Sequence, residues 1–247
     1  MVNEQKRLDV IANNLSNSAT VGFKKEGVTS QSFDEVLAIK AKDPSADYHQ
    51  NQIGSMSLGT KVGETYTDYD QGNLRETDNT YDLAIEGNGF FSIQYTDADG
   101  NTSVQYTRNG QFTCDKNGYI VDVDGNNLLD DSGSPVQVPL DASDITVDSQ
   151  GNVFADDEYV DSVALTDFED YDYFKKFGEN RFIATDGAVA KEATGQIQQG
   201  YTEQSNVNVV SEMVNMITIT RAYEAGQKVI QTVDSTLGHS ANDIGKV

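Results

Sequence analysis

Cysteine and histidine are almost absent from this chain of 247 residues, which contains one cysteine, Cys114, and two histidines, His49 and His239. A single thiol excludes an intramolecular disulfide framework, and the isolated histidines exclude a Cys/His zinc site. Cys114 shares a strand face with Phe112 in "QFTCD", so we expect it to be a small core residue rather than a nucleophile. The sequence therefore predicts no metal site.

Motifs typical of catalysis and nucleotide binding are also lacking. "EGNGFF" (86–91) contains Gly87 and Gly89 but no third glycine at the dinucleotide spacing, and neither a GxSxG elbow nor a P-loop is present. The acidic stretch around Asp167 and Asp170 could pair carboxylates for acid–base chemistry, but a strand edge or loop with its charges in water is the simpler interpretation. We predict no catalytic residues, no cofactor and no enzymatic activity.

Long apolar runs and basic charge are scarce as well. No run of about 18 apolar residues exists and no charged and then apolar leader follows Met1, so the sequence predicts neither membrane insertion nor a cleaved secretory signal. The net charge of −23 opposes binding to nucleic acids and anionic lipids. Residues 41–200 carry nine basic and thirty acidic side chains, whereas 1–40 and 201–247 together carry eight and ten. The acidic charge therefore belongs to the middle of the chain.

Two stretches have apolar residues at helical spacing. The first, "LDVIANNLSNSATVGFKK" (8–25), has an apolar face that includes asparagines, and it ends in a turn at Gly22. The second repeats apolar residues every seven positions, and we expect a helix from about Asn208 to Gly238. Because heptads favour helix pairing, we predict a coiled-coil-like stem, with an ordinary two-helix subdomain as the alternative.

The seam of such a stem would consist of apolar residues from both helices and one asparagine of the first. These candidate residues are Leu8, Ile11, Asn14, Leu15, Val209, Met213, Met216, Ile217, Ile219, Tyr223, Ile230, Val233 and Leu237.

Between the helices the pattern changes to short alternating stretches separated by Asn-Gly and Asp-Gly pairs. Such pairs supply the residues with positive φ that hairpin turns need, so they predict an antiparallel meander or small barrel. The expected fold is α+β, with terminal helices in 1–25 and 202–247 and an inserted antiparallel all-β domain in 70–201. The connecting segment 26–69 is expected to be partly irregular, with one helical turn at "FDEVLAIK" (33–40).

One acidic turn resembles the start of a calcium-binding loop. In "DVDGNN", counted from Asp122, Gly125 occupies loop position 4 instead of 6, and Gly133 stands where a bidentate glutamate is needed. The pattern fails as an EF-hand. An acidic secreted calcium-binding or hydrolytic β protein remains the alternative from another functional class.

Three stretches, which follow one another in the order that the family has, resemble the bacterial flagellar rod and hook proteins. They are 8–25, the pair 72–94 and 105–129, and 195–238. The resemblance covers nearly the whole chain and implies a structural axial subunit of the flagellar basal body. Its terminal helices would pack with those of neighbours into a helical tube, while the β domain faces outward. The asparagines could then bond across packed chains or cap the helix end.

The resemblance also implies partners and a route. The partners would be copies of the chain itself and neighbouring rod and hook subunits. The short β region favours the distal rod, with the proximal rod and the hook as alternatives. Export would use the flagellar type III apparatus without cleavage, and Phe33 and Leu37 in "FDEVL" resemble its gate-binding element, although the pair could instead pack on a neighbouring surface. Family members usually begin at least a helical turn further upstream, which implies a trimmed chain or an internal start.

Overall fold

The computed structural model describes residues 2–32, 36–39, 52–56, 59–97, 99–142 and 144–244. These residues form two terminal α-helices, α1 (Val2–Ser16) and α2 (Val209–Ile244), and twenty short strands between them. The α+β class with antiparallel strands is confirmed. No helix in the described ranges combines the length and the apolar character that crossing a bilayer requires.

The ends of the helices differ in part from the prediction. Helix α2 begins at Val209, directly after the expected cap residue Asn208, but it continues through Gly238 to Ile244. An exposed glycine within a helix costs only about 1 kcal/mol relative to alanine, which is too little to end a long helix. Helix α1 ends at Ser16, and a turn follows in which the Thr20 hydroxyl donates to Asn17 Oδ1 at 3.1 Å.

Contacts divide the chain into two compact units. Unit 1 contains Met1–Leu15, Glu26–Asp68 and Val209–Val247. Unit 2 contains Ser16–Lys25 and Tyr69–Asn208. The chain therefore passes between the units four times, and the turn after α1 belongs to unit 2.

The described residues of the connecting segment in unit 1 lie mostly in strands. Its strands are β1 (Glu26–Ser32), β2 (Val36–Ile39), β3 (Gln52–Met56) and β4 (Thr60–Thr67). β1 pairs with β4 and β2 pairs with β3, both antiparallel. The expected helical turn is wrong for Val36–Ile39, because β-branched residues favour extended chain and a paired strand satisfies more backbone groups than one isolated turn. Phe33 lies outside the described residues.

Unit 2 contains the remaining strands, most of them three to five residues long. They are β5 (Leu74–Glu76), β6 (Leu83–Glu86), β7 (Phe90–Thr96), β8 (Thr102–Thr107), β9 (Phe112–Cys114), β10 (Ile120–Asp122), β11 (Asn127–Leu128), β12 (Ile145–Val147), β13 (Asn152–Ala155), β14 (Glu158–Ser162), β15 (Leu165–Phe168), β16 (Phe174–Phe177), β17 (Arg181–Ala184), β18 (Ala190–Glu192), β19 (Gln196–Gln199) and β20 (Tyr201–Glu203).

The strands of unit 2 pair into one large sheet and several small ones. The large sheet has the order β16-β17-β8-β7-β11-β10-β9, and β15 pairs with both β7 and β18. A second sheet has the order β12-β13-β14, and the pairs β6–β19 and β5–β20 are two-stranded. Through these two pairs β19 and β20, the last strands before α2, lie beside β6 and β5, the first strands of unit 2.

Alternation along β7 separates two apolar layers. Phe91 and Ile93 are buried in the main core, which each such large side chain stabilises by about 1.5–3 kcal/mol. Phe90 belongs instead to an aromatic cluster, with its ring centroid 5.2 Å from that of Phe174. The main core contains Leu83, Ile85, Phe91, Ile93, Phe112, Ile120, Leu128, Val136, Val138, Ile145, Val153, Ala155, Val163 and Ile197. The aromatic cluster contains Tyr69, Phe90, Tyr171, Phe174 and Phe182.

Five loops of unit 2 share one pattern, Asp-x-x-Gly. In each loop the glycine N–H donates to the aspartate carbonyl at 2.9–3.0 Å, and the aspartate N–H donates to the carbonyl of the residue after the glycine. Among the described residues of these loops only the glycine has a positive φ, between 81° and 91°. These loops are therefore three-residue hairpin turns with a left-handed glycine, not turns with two left-handed residues. The aspartate–glycine pairs are 97 and 100, 115 and 118, 122 and 125, 130 and 133, and 148 and 151.

Candidate assembly site

The predicted seam of α1 lies partly against its own chain. Val10, Ile11 and Asn14 are buried, whereas Leu8 and Leu15 are half-buried. The Asn14 side chain donates from Nδ2 to the Glu26 carbonyl at 2.8 Å, and its Oδ1 accepts from the Glu26 N–H at 2.9 Å. These two bonds reproduce the pairing that a neighbouring strand would give at the start of β1. Asn14 is therefore bonded to the backbone of its own chain, and a contact of Asn14 with a neighbouring chain stays a prediction.

The predicted seam of α2 is mostly uncovered. Ile219 is buried and Met216 and Tyr223 are half-buried. The exposed members are Val209, Met213, Ile217, Ile230, Val233 and Leu237. Apolar side chains in this number are seldom left in water along one helix.

Apart from Val209 at the start of the helix, the exposed apolar residues of α2 form two stripes rather than one seam. The first stripe is Val210, Met213, Val214 and Ile217, and the second stripe is Val229, Ile230, Val233 and Leu237. At about 100° per residue, the first stripe faces away from the side of α2 on which Glu212 and Ile219 are buried, whereas the second stripe faces that same side. The stripe centres are about 20 residues, or about 30 Å, apart along the helix. α2 therefore offers uncovered apolar surface in two nearly opposite directions.

A buried cluster of charges lies where the terminal segments enter unit 2, and we call Lys24, Arg108 and Glu203 the exit cluster. The side chains of Lys24 and Glu203 are each 1% exposed. Glu203 Oε1 accepts from Lys24 Nζ at 2.7 Å, and Oε2 accepts from Arg108 Nη1 at 3.2 Å. Lys24 Nζ also donates to the Asp70 carbonyl and Arg108 Nη2 to the Gly87 carbonyl, each at 2.8 Å. These carbonyl oxygens help one carboxylate to accommodate two buried cations.

Backbone bonds reinforce the exit cluster. Gly22 N–H donates to the Glu203 carbonyl at 2.8 Å, and Gly72 N–H donates to Glu203 Oε1 at 2.9 Å. Lys25 N–H donates to Asn206 Oδ1 at 2.8 Å, and Asn206 Nδ2 donates to the Asp70 carbonyl at 3.1 Å. The segments 22–25, 70–72 and 203–206 are thus bonded to one another within unit 2.

The turn at Gly22 requires glycine. Its φ is +70°, and a Cβ at this position would lie 2.4 Å from the backbone nitrogen of Asn109. The next residue, Phe23, is 1% exposed, and the Lys176 ammonium lies 4.1 Å from its ring centroid. "GFKK" is therefore a docking segment, in which Gly22 permits close approach and Lys24 supplies the buried cation.

Sequence reasoning missed the exit cluster. Lys24 and Arg108 lie 179 and 95 positions from Glu203. No local pattern marks a single buried carboxylate, because its burial depends on partners that are distant in sequence. The only available signal was that Lys24, Arg108 and Glu203 each lie within a stretch that carried the family resemblance.

Asp167 differs from the expectation that its charge is in water. Its side chain is 1% exposed; Oδ1 accepts from the Tyr171 hydroxyl at 2.6 Å, and Oδ2 lies 3.1 Å from Lys191 Nζ. Burial alone would raise the pKa of Asp167, but the bonds from Tyr171 and Lys191 outweigh burial and lower it. Burial, followed by the bond to Asp167, raises the pKa of Tyr171 to about 12. Asp170 is exposed and accepts from the Asp172 N–H, so no carboxylate pair forms there.

The acidic turns use carboxylates to close their own loops. Asp122 Oδ1 accepts from the N–H groups of Asp124 and Asn126 at 2.8 and 3.0 Å. Asp130 is bonded in the same way to Ser132 and Ser134. Burial alone would raise the pKa of Asp130, but hydrogen bonds from these residues lower it. Across the described ranges, no three His, Cys, Asp or Glu side chains are grouped so that they could hold a metal ion.

The export-gate pair can be located only in part. Phe33 lies outside the described residues, and Leu37 lies in β2 opposite Ser55 of β3.

Three family models match the chain. "Flagella basal body rod protein" matches residues 1–24, "Flagellar hook protein FlgE/F/G D1 domain" matches 84–155, and "Flagellar basal body rod FlgEFG protein C-terminal" matches 198–244. Each matched region contributes one member of the exit cluster, namely Lys24, Arg108 and Glu203 respectively.

Curated relatives match over most of their length. The flagellar basal-body rod protein FlgG of Buchnera aphidicola subsp. Schizaphis graminum is 32% identical over 251 residues, which cover 95% of this chain and 92% of the relative. FlgG of Bacillus subtilis is 31% identical over 98% of this chain and 95% of its own length. The rod protein FlgF of Caulobacter vibrioides is also 31% identical, over 98% of this chain and 94% of the relative.

Proposed function

The chain belongs to the flagellar basal-body rod protein family, and from this premise we propose that it is a distal rod subunit that self-associates through its terminal helices. It is a structural subunit of the flagellar rod and not an enzyme. Membership implies assembly with other rod and hook subunits in the basal body of the flagellum.

The observation that carries the self-association proposal is the pair of uncovered stripes on α2. Ile217 of the first stripe is 53% exposed and Ile230 of the second is 57% exposed. Full burial of such a side chain contributes about 1.5–3 kcal/mol, so neighbouring helices that cover both stripes supply a substantial driving force. In the assembled state we expect α1 and α2 of packed subunits to form the coiled-coil-like stem.

The placement of the stripes favours a filament over a closed dimer. One partner helix cannot cover two stripes that face nearly opposite directions and are displaced along α2. Contacts between unlike surfaces repeat from subunit to subunit, and they produce open helical assemblies when the rotation does not close. A tubular rod is an assembly of this kind.

One substitution in each stripe tests the proposal. Ile217→Asp and Ile230→Asp should each raise the concentration needed for filament formation by more than about 100-fold, because a buried carboxylate without a partner costs several kcal/mol. Sedimentation and electron microscopy measure filaments, and thermal melting follows unit 2, which contains neither residue.

The matched control is Gln227→Asp, which places the same charge on an exposed position of α2 outside both stripes. It should leave filament formation unchanged. If a chain that carries both Ile217→Asp and Ile230→Asp polymerises like the parent, the stripes are not the assembly surface.

The distal position is favoured by relatives named FlgG, the distal rod protein, which reach 33% identity, against 31% for relatives named FlgF. The proximal rod is therefore the second candidate. Cryo-electron microscopy of a labelled subunit in the native basal body tests the assignment, and density confined to the proximal rod would overturn it.

We also propose that the subunit leaves the cell through the flagellar type III apparatus without cleavage, with Phe33 and Leu37 as the gate-binding pair.

A further inference from the structure

We infer that Glu203 is a positioning residue for rod assembly: one buried carboxylate anchors both the segment that follows α1 and the segment that precedes α2. This inference rests on the proposed self-association of the terminal helices. It adds that the ends of the chain are held through a shared anchor, so that loosening the anchor releases both.

The anchor acts on the N-terminal segment through two kinds of contact. The Glu203 carboxylate binds Lys24 Nζ at 2.7 Å, and the Glu203 carbonyl accepts from Gly22 N–H at 2.8 Å. Residues 22–25 are therefore held by side chain and backbone together. The only residue between the two bonded positions is Phe23, whose ring is buried.

The same carboxylate fixes the segment to the rest of unit 2. Oε1 also accepts from Gly72 N–H at 2.9 Å, and Oε2 binds Arg108, which follows β8 and donates onward to the Gly87 carbonyl. The Arg108 guanidinium lies 5.2 Å from the centroid of Phe90 in the aromatic cluster. Glu203 thus connects a terminal segment to the large sheet through one guanidinium.

Loss of the negative charge should release these segments without unfolding the main core. Glu203→Gln retains the shape of the side chain but leaves the Lys24 and Arg108 cations buried beside a neutral amide, which is far more costly than breaking a surface ion pair. None of the three residues belongs to the main core. The expected result is local opening of 22–25, 70–72 and 203–206 together.

Local opening bears directly on assembly. Segments that are ordered before association lose little conformational entropy when neighbouring subunits pack against the helices that adjoin them in sequence, whereas loosened segments must be ordered at that step. We therefore expect Glu203→Gln to raise the concentration required for polymerisation, by at least about tenfold, while the melting of the main core is retained.

Hydrogen exchange of the monomer, read at single amides by NMR, tests the anchor. In Glu203→Gln the amides of Gly22, Lys25 and Gly72 should exchange at least about 100-fold faster than in the parent, while the β7–β8 ladder keeps its protection. The matched control is Asp167→Asn, which neutralises another carboxylate that is 1% exposed. It should leave those three amides and the polymerisation concentration unchanged.

Each result of the exchange and polymerisation experiments supports or overturns one part of the inference. Faster exchange at Gly72 alone, or equal acceleration throughout unit 2, overturns the shared anchor. Opening of all three amides with normal polymerisation overturns the positioning role in assembly. Failure of the parent chain to polymerise overturns the proposed self-association and with it the assembly role of Glu203, whereas the exchange data still decide whether it is a shared anchor.

Discussion

Replacing Asn14 by alanine should destabilise the isolated subunit and not only its assembly. The change removes two hydrogen bonds to the backbone of Glu26, at 2.8 and 2.9 Å, from a side chain that is 1% exposed. Each bond contributes about 1 kcal/mol, and the freed N–H and carbonyl add a penalty that partial access to water reduces. The higher helix propensity of alanine returns about 0.5 kcal/mol. The net expected loss is about 2 kcal/mol.

Exchange of the Glu26 amide in the monomer measures this loss at the bond concerned, and urea unfolding followed by the helical circular dichroism signal measures it for unit 1. Gln5→Ala is the matched control, because Gln5 carries an amide at an exposed position of the same helix and its replacement should change stability by no more than about 0.5 kcal/mol. If Asn14→Ala abolishes polymerisation while Glu26 exchange and unfolding stay at parental values, Asn14 acts between subunits and the reasoning from its intrachain bonds is wrong.

Three further results are expected. The stability contributed by the raised pKa of Tyr171 is fully present below the ordinary tyrosine pKa of 10.0 and is lost as pH rises towards about 12. The free energy of unfolding, measured with urea, should therefore fall at alkaline pH. Tyr171→Phe should flatten this fall, whereas Tyr159→Phe, at an exposed tyrosine, should not. The stability from the lowered pKa of Asp167 is present above the unfolded value and is lost as pH falls through the folded one. Phe33→Ala should reduce export of the chain without changing its melting, whereas Ile39→Ala should leave export normal; a lower melting temperature with normal export would contradict the gate-binding role.

The sequence predicted the elements whose signals are local. The apolar repeat after Asn208 gave the start of α2, and alternation with Asp-Gly and Asn-Gly pairs gave the antiparallel strands of unit 2. The predicted helix end at Gly238 was wrong, because the cost of one glycine is too small to end a long helix. The predicted helical turn was wrong at Val36–Ile39, because pairing with β3 decides the conformation there. Boundaries set by tertiary pairing are not written in a short window of residues.

The predicted seam residues stay a prediction for assembly, and the heptad count included five of the eight exposed stripe residues but missed Val210, Val214 and Val229. A heptad count joined Val209 to Leu237 in one seam, whereas at helical spacing the exposed residues fall on two sides of α2. Asp167 illustrates a second limit: its burial depends on Tyr171 and Lys191, and Lys191 lies on a different strand. The exit cluster shows the same limit most clearly, because one ion pair joins positions 179 residues apart.

The self-contained Asp-x-x-Gly loops offer attachment points for probes. Each loop is closed by its own backbone bonds, and a side chain at the position of Gly125 or Gly133 would meet no other part of the chain within 4 Å of its Cβ. Val123 lies in the loop between Asp122 and Gly125 and is 72% exposed, while Cys114 is the only native thiol. A Cys114→Ser, Val123→Cys chain can therefore carry a single fluorophore or gold particle on an exposed loop of unit 2 that contributes no residue to α1, α2 or the exit cluster, and such a label makes the subunit visible inside an intact organelle.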